Sequence, residues 1–148
     1  MIPTGTISEI LNHKGTNVYS IAPDAMVFEA IQLMAEKNVG ALLVIDRDKL
    51  VGILSERDYT RKVALKGKSS KQTRVGEILS EQVIRIAPSH SIEDCMRLMT
   101  EHRIRHLPVV NGDEIVGIIS IGDLVNWIIS AQTNTIFQLQ TYISGYPT

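Results

Sequence analysis

One pattern of hydrophobic and polar positions occurs twice along the 148-residue chain. Each occurrence has a short apolar stretch ending in proline, then a segment whose apolar residues recur three or four positions apart. That spacing, in residues 27–34 and again in 92–99, predicts an amphipathic helix. Two short apolar runs separated by turn residues follow in each occurrence, and such runs predict a β-hairpin.

The two occurrences align at a constant offset of 65 residues, without a gap. Leu33–Glu36, for example, corresponds to Leu98–Glu101. Further upstream, Glu9–Leu11 matches Glu77–Leu79 at an offset of 68, so one loop is three residues longer in the first copy. A match of this length indicates an internal duplication.

The pattern of apolar and polar residues in each copy predicts the element order β-α-β-β-α, preceded by a short helix. At the first such helix, Thr6 and Glu9 stand at the spacing of a capping box. A single copy cannot cover its own sheet face, so we expect an α+β (mixed α/β) fold of two repeats packed sheet to sheet about a pseudo-two-fold axis. The predicted divisions are repeat 1 (8–62), a linker (63–75), repeat 2 (76–128), and a C-terminal helix and tail (129–148).

Composition narrows the class of protein. Hydrophobic and charged contents of 44% and 21% are those of an ordinary globular domain, and a net charge of −1 gives no reason to expect a nucleic-acid or membrane partner. The single cysteine, Cys95, leaves no internal disulfide framework and falls on the predicted buried helix face. No apolar run has the length of a membrane span and no secretory signal is visible, so we expect a cytoplasmic protein.

The candidate chemistry lies where the last strand of each copy runs into a helix. Gly52–Asp58 and Gly117–Asp123 both read glycine, two aliphatic residues, serine, two variable residues and aspartate. The free N–H groups and positive dipole end of a helix start favour an anion, which suggests a small phosphate-bearing ligand. A serine–aspartate capping box, needing no ligand, is the alternative interpretation, and both roles are compatible.

Read in order, these features resemble a tandem pair of CBS (cystathionine-β-synthase) domains, a Bateman module. The resemblance rests on the strand–proline start, the amphipathic helix, Leu107–Asn111, and the repeated Val-Gly-Ile and Ser-x-x-Asp pattern, and spans Ser8 to Ile128. It implies a regulatory protein that binds an adenine nucleotide (AMP, ADP, ATP or NAD) in clefts between the copies. It also implies a homodimer that signals to an unidentified client protein, without a metal cofactor. The ending of the chain is similar to small stand-alone CBS-pair proteins.

The resemblance assigns roles to residues. Asp123 and Asp58 would accept hydrogen bonds from ribose hydroxyls, while Ser120 and Ser55, with their helix starts, would hold phosphate. Further phosphate contacts would come from Arg105 and His106 at the first site, and from Arg57 at the second. Gly40 and Ala41 replace the Arg105–His106 pair in copy one, where glycine permits close backbone approach, so unequal sites are expected. The strand residues before the prolines would contact adenine. At the Asp123 site these residues would be Ser20, Ile21 and Ala22. At the Asp58 site they would be Arg85, Ile86 and Ala87.

Other interpretations remain open. The loop holding Arg105 and His106 fits a solvated connection equally well, and the lysines of the linker region, from Lys62 to Lys71, fit a solvated segment. A constitutive scaffold with vestigial clefts is the alternative function. A nucleotide hydrolase is disfavoured because no metal-carboxylate set or nucleophile–base pair is visible, and the histidines lack metal-ligand spacing.

Overall fold

The computed structural model describes residues 5–79 and 82–131. The predicted α+β organisation is confirmed, and each copy has the expected amphipathic helix, β-hairpin and closing helix in that order. The helices are α1 (Ile7–Lys14), α2 (Val27–Lys37), α3 (Glu56–Tyr59, continued by a π-helical turn at Thr60–Ala64), α4 (Ile92–His102) and α5 (helical over 121–131), with a 3₁₀ turn at Val75–Ile78. The strands are β1 (Ser20–Ile21), β2 (Ala41–Asp46), β3 (Lys49–Ser55), β4 (His106–Asn111) and β5 (Glu114–Ser120).

The hairpins form as predicted, but the strands before the prolines differ between copies. In copy one β1 pairs in parallel with β2, which pairs antiparallel with β3. In copy two β4 pairs with β5, and the segment before Pro88 contributes only the bridge between Ile86 and Val109. The strand predicted there is therefore reduced to one paired residue, whose N–H donates to the Pro108 carbonyl (3.0 Å) and whose carbonyl accepts from the Val110 N–H (2.8 Å).

The chain folds into two compact units that combine segments from both copies. Among the described residues, the first unit contains 5–16, 86–111 and 116–131, and the second contains 17–79, 82–85 and 112–115. Helix α1 thus joins elements of copy two, and the N–H groups of Ile7 and Ser8 donate to the carbonyls of His90 (3.0 Å) and Pro88 (2.9 Å). The contiguous repeat boundaries read from the sequence remain a prediction.

In each unit a leucine packs onto the glycine of the repeated motif. A Cβ added to Gly117 would lie 2.9 Å from Leu11 Cδ2, and a Cβ added to Gly52 would lie 2.9 Å from Leu79 Cδ2. Both glycines are buried. Because such distances are shorter than van der Waals contact, the repeated glycine is explained by the close approach of the short helical segment that precedes the other copy.

The predicted amphipathic faces are largely the buried ones. Val27, Ala30 and Met34 of α2 are at most 2% exposed and pack in the core of the second unit. On α4, Ile92, Cys95 and Met99 are buried in the first unit, whereas Met96, predicted on the same face, is 38% exposed. The apolar stripe of α4 is therefore narrower than its sequence suggests.

The capping box predicted at α1 does not form through the Thr6 side chain. Thr6 is the N-cap residue, but its hydroxyl makes no capping hydrogen bond; only its carbonyl accepts from the Glu9 N–H (3.1 Å). The α1 start instead has backbone bonds to the Pro88–His90 turn, which satisfy N–H groups that a cap would otherwise serve.

Replacing the buried glycine tests the close approach in the first unit. We expect Gly117→Ala to lower the free energy of unfolding by about 1–3 kcal/mol, because Leu11 must move within a packed core. The measurement is urea denaturation. Gly122→Ala is the control. A Cβ added to Gly122 would lie 3.6 Å from its nearest neighbour, Ser120 Oγ, and alanine is more favourable than glycine in a helix by about 1 kcal/mol. Equal effects of the two substitutions would contradict this explanation of the motif.

The buried cysteine gives a pH prediction. Burial, with a smaller effect of the Asp94 charge, raises the pKa of Cys95 to about 11. An unfolded thiol ionises nearer pH 8.5, so the unfolded state loses the proton first and stability falls as pH rises from about 9 to 11. We expect Cys95→Ala to show a smaller fall over this window. A native protein that reacts with a thiol reagent at pH 8 as fast as the denatured protein would show that Cys95 is accessible.

Candidate functional site

In the second unit, the Ser55–Asp58 pair closes a reciprocal capping box at the strand-to-helix junction. Ser55 ends β3 in an extended conformation, and its N–H donates to Asp58 Oδ2 at 2.9 Å. The Asp58 N–H donates back to Ser55 Oγ at 3.2 Å, and the Ser55 hydroxyl also lies 3.0 Å from Asp58 Oδ2. The carboxylate is thereby fixed, partly exposed, at the start of α3.

The equivalent junction in the first unit has the same box. The Ser120 N–H donates to Asp123 Oδ2 at 2.8 Å, and the Asp123 N–H donates to Ser120 Oγ at 3.1 Å. Asp123 retains 21% side-chain exposure, so a solute can reach it. The sequence prediction that both motifs start helices with serine and aspartate is therefore confirmed as local structure.

A third box, at α4, shows that the pattern is insufficient to mark a ligand site. Ser91 caps α4 through the Asp94 N–H (3.0 Å), and the Ser91 N–H reaches Asp94 Oδ2 at 3.4 Å. The hydrogen bond from the Ser91 side chain, followed by that from its backbone, lowers the pKa of Asp94. Ser91 follows a turn rather than a β-strand. What separates the other two boxes is therefore their position at the end of a strand.

Backbone hydrogen bonds bring further predicted residues to these junctions. The Ile121 N–H donates to the Arg105 carbonyl at 2.8 Å, and the Glu56 N–H donates to the Gly40 carbonyl at 3.0 Å. The residue before each hairpin is thus tied to the first residue of the following helix. Arg105 is exposed and His106, the first residue of β4, is half-buried, so the cations expected near Asp123 lie in the same unit as that carboxylate.

Each site aspartate also has a lysine neighbour that the sequence interpretation missed. Lys14 Nζ lies 2.6 Å from Asp123 Oδ2 and 2.8 Å from the Ile118 carbonyl. Lys62 Nζ lies 3.7 Å from Asp58 Oδ1 and donates to the Ile78 carbonyl at 3.0 Å. Lys62 is thus bonded within the second unit, although its sequence context also fitted a solvated segment. Nothing in the local pattern marks Lys14, because its partner is more than 100 residues away.

The remaining predicted residues have these positions. Ser20 and Ile21 form β1, opposite Leu43 and Val44, and Ala22 follows them, exposed. Arg85 Nη2 donates to the Leu50 carbonyl at 3.1 Å within the second unit. Ile86 is 1% exposed and its N–H is already bonded to β4, so adenine contact through that group would require rearrangement. The pairing of Ser20–Ala22 with Asp123 joins residues of different units and stays a prediction.

Two cavities adjoin these junctions, each within one unit. A cavity of about 530 Å³ in the first unit is lined by Lys14 and Asp123 together with His13, Asn126 and Trp127. A cavity of about 500 Å³ in the second unit includes Gly40, Glu56 and Tyr59 in its wall. Within the described ranges 5–79 and 82–131, no cluster of three or more histidine, cysteine, aspartate or glutamate side chains is arranged to bind a metal ion.

Across the part of the chain that the structure describes, every helix is too short or too polar to traverse a bilayer. The predicted cytoplasmic location is a separate matter and stays a prediction.

Comparison with known proteins places these features in a family. The sequence matches the CBS domain family over residues 7–65 and again over 75–130. The mitochondrial CBS domain-containing protein CBSX3 of Arabidopsis thaliana is 37% identical to this chain, over 95% of this chain and 72% of that protein.

Solved structures agree. A candidate signal-transduction protein with CBS domains from Burkholderia ambifaria MC40-6 superposes with a TM-score of 0.83 at 50% identity, over 86% of this chain and 96% of the other. The CBS domain pair of protein MJ0100, in complex with 5′-methylthioadenosine and S-adenosylmethionine, shares the fold (TM-score 0.75, covering 87% and 99% of the two chains) at 22% identity. CBS pairs are generally regulatory, ligand-binding modules. This chain belongs to the CBS domain family and carries two CBS domains in tandem.

Proposed function

We propose that this protein senses an adenine nucleotide of the AMP, ATP or NAD class through Asp123 and Asp58 and signals its occupancy to a protein partner. The observation that carries the proposal is the repeated junction. In both units a capping box at the end of a strand fixes a partly exposed carboxylate, and the loop before the hairpin is bonded to the same helix start.

The chemistry of the junction suits a ribose phosphate. A carboxylate is an acceptor-only group, so it matches the two hydroxyl donors of a ribose, and each capping box holds it in one orientation. The first N–H groups of the helix and the serine hydroxyl suit a phosphate group. Arg105 in the first unit and Arg57 in the second add positive charge, and His106 would add to it when protonated.

One difference between the junctions supports unequal affinities. The first unit has the Arg105–His106 pair before β4, whereas the second has Gly40 and Ala41 at the equivalent positions. The cations also favour a di- or triphosphate or a dinucleotide over the uncharged nucleoside, because phosphate contacts add charge-assisted hydrogen bonds. MJ0100, which shares only the fold, holds two adenosine-containing compounds in its CBS pair, and that is consistent with the proposed ligand class.

A constitutive scaffold with vestigial sites is the alternative function. The capping box at Ser91–Asp94 favours it, because it shows that this serine–aspartate geometry occurs in the chain for structural reasons alone. Nucleotide binding separates the two functions. A ligand bound at 100 times its Kd would stabilise the folded state by about 2.7 kcal/mol, whereas an empty scaffold would gain nothing.

Calorimetric titration with AMP, ATP, NAD and adenosine tests the proposal on protein freed of co-purified ligand. We expect at least one nucleotide to bind more tightly than adenosine. We also expect Asp123→Ala or Asp58→Ala to remove one class of sites, because the ribose loses its acceptor. Each substitution should also lower stability by about 0.5–2 kcal/mol through loss of the cap.

Asp94→Ala is the matched control, since it opens the same kind of box at α4. It should lower stability comparably and leave nucleotide affinity unchanged. If Asp94→Ala weakens binding as much as Asp123→Ala does, the losses reflect stability and not ligand contact. If wild-type protein binds none of the nucleotides, the sensor proposal fails and the scaffold takes its place.

The proposal includes a homodimer. Ile121, Val125 and Ile129 recur every fourth residue along the described part of α5 and remain 38%, 44% and 55% exposed. An apolar stripe at this spacing suits packing against a second copy of the chain.

Light scattering after size exclusion tests the dimer. We expect wild-type protein to have the mass of two chains and Val125→Lys to shift it toward one chain, because a charge within an apolar interface is strongly unfavourable. Leu65→Lys, at an apolar residue that is 77% exposed in the second unit, is the control and should leave the mass unchanged. A wild-type protein with the mass of one chain would overturn the dimer.

A further inference from the structure

The Lys14 ammonium bridges two groups at the junction of the first unit. It lies at the C-terminal end of α1 and donates both to the Ile118 carbonyl on β5 and to Asp123 Oδ2. The side chains of Lys14 and Asp123 are 32% and 21% exposed, so the ion pair is partly buried but still accessible to solvent. We call these two bonds the Lys14 bridge.

We propose that the Lys14 bridge competes with the ligand for Asp123, so that ligand binding releases the C-terminal end of α1. This inference rests on the proposed nucleotide site at Asp123 and specifies how that site is regulated. Asp123 Oδ2 already accepts hydrogen bonds from the Ser120 N–H and from Lys14 Nζ. Because a carboxylate oxygen has two lone pairs in its plane, a ribose hydroxyl that needs Oδ2 must displace one donor. The Ser120 N–H is fixed by the backbone, so the lysine side chain is the donor that leaves.

Release of Lys14 acts on one end of α1 because the helix is held elsewhere by other contacts. Its first residues, Ile7 and Ser8, are bonded to the turn before α4, and Leu11 packs on Gly117. Beyond Lys14 the chain continues through Gly15, at φ +94° with no atom within 4 Å of an added Cβ, into exposed residues. Loss of the bond to Asp123 would leave Lys14 held only by the Ile118 carbonyl, and would therefore loosen the last turn of α1 while its start stays in place. This last turn is the element through which occupancy of Asp123 would be communicated.

The second unit provides a contrast. Asp58 Oδ2 accepts from the Ser55 N–H and hydroxyl, and Lys62 Nζ lies 3.7 Å from the other oxygen, Oδ1, which is beyond hydrogen-bond distance. Lys62 follows Asp58 by four residues on the same helical segment and makes its hydrogen bond to the Ile78 carbonyl instead (3.0 Å), so a ligand at Asp58 Oδ2 has no lysine hydrogen bond to displace. The regulation inferred here therefore belongs to the Asp123 site.

The test measures AMP affinity in an Asp58→Ala background, which leaves Asp123 as the single proposed site. We expect adding Lys14→Met to tighten binding roughly two- to fivefold, the worth of a partly exposed ion pair that no longer has to be broken. Removing a positive charge would on its own weaken the binding of an anion. An increase in AMP affinity is therefore expected only if Lys14 competes with the ligand for Asp123. Lys62→Met in the same background is the matched control and should not tighten binding. Lys14→Arg, which can keep both bonds, should leave AMP affinity nearer that of the background protein.

Hydrogen exchange gives a readout independent of affinity. Saturating AMP should speed amide exchange in the last turn of α1 in the Asp58→Ala protein. Lys14→Met should show fast exchange there without ligand and no further change with it. Binding that weakens or is unchanged in Lys14→Met, with no effect of AMP on α1 exchange, overturns the competition and leaves the nucleotide site intact. If the Asp58→Ala protein binds none of AMP, ATP and NAD, both the Asp123 site and its regulation are overturned.

Discussion

A helix start leaves backbone N–H groups without intrahelical partners, and the structure depends on how this chain satisfies them at the ends of two strands. Ser55 with Asp58 and Ser120 with Asp123 close reciprocal hydrogen bonds directly after β3 and β5. The same bonds that start the helix hold a carboxylate at the surface in a defined orientation. The serine and aspartate that stabilise each helix start are therefore also the residues of the proposed ligand contact. Because the chain is duplicated, this pair occurs twice.

The two copies share this junction but surround it differently. The first unit places Arg105, His106 and Lys14 in the same unit as Asp123, while the second has Gly40 before its hairpin and Arg57 and Lys62 on the helical segment that follows. Asp123 is tied by an ion pair to a helix distant in sequence, and Asp58 has a cation from its own helical segment. The same type of capping box is therefore combined with different counter-charges in the two units, and this difference is the reason to expect unequal sites.

Much of the fold followed from periodicity, because each element is specified by neighbouring residues. The helices, both hairpins and both strand-to-helix junctions lie where the repeated pattern predicted them. The errors occurred where partners distant in sequence decide. The segment before Pro88 forms a single bridge instead of a strand, and Met96 remains exposed on a helix face that is otherwise buried. Thr6 does not cap α1 with its side chain, because the turn before α4 supplies backbone acceptors to that helix start.

The sequence by itself determined the duplication, the order of elements and the serine–aspartate pairs, since a constant offset and a short spacing are properties of the chain alone. Only the tertiary structure decided how the segments are grouped. Helix α1 precedes copy one but folds with the strands of copy two, because the groove over Gly117 accepts Leu11. That grouping also brings Lys14 to Asp123, across 109 residues of sequence. No local pattern could reveal this ion pair, because its geometry exists only once α1 has packed onto β5 and the start of α5.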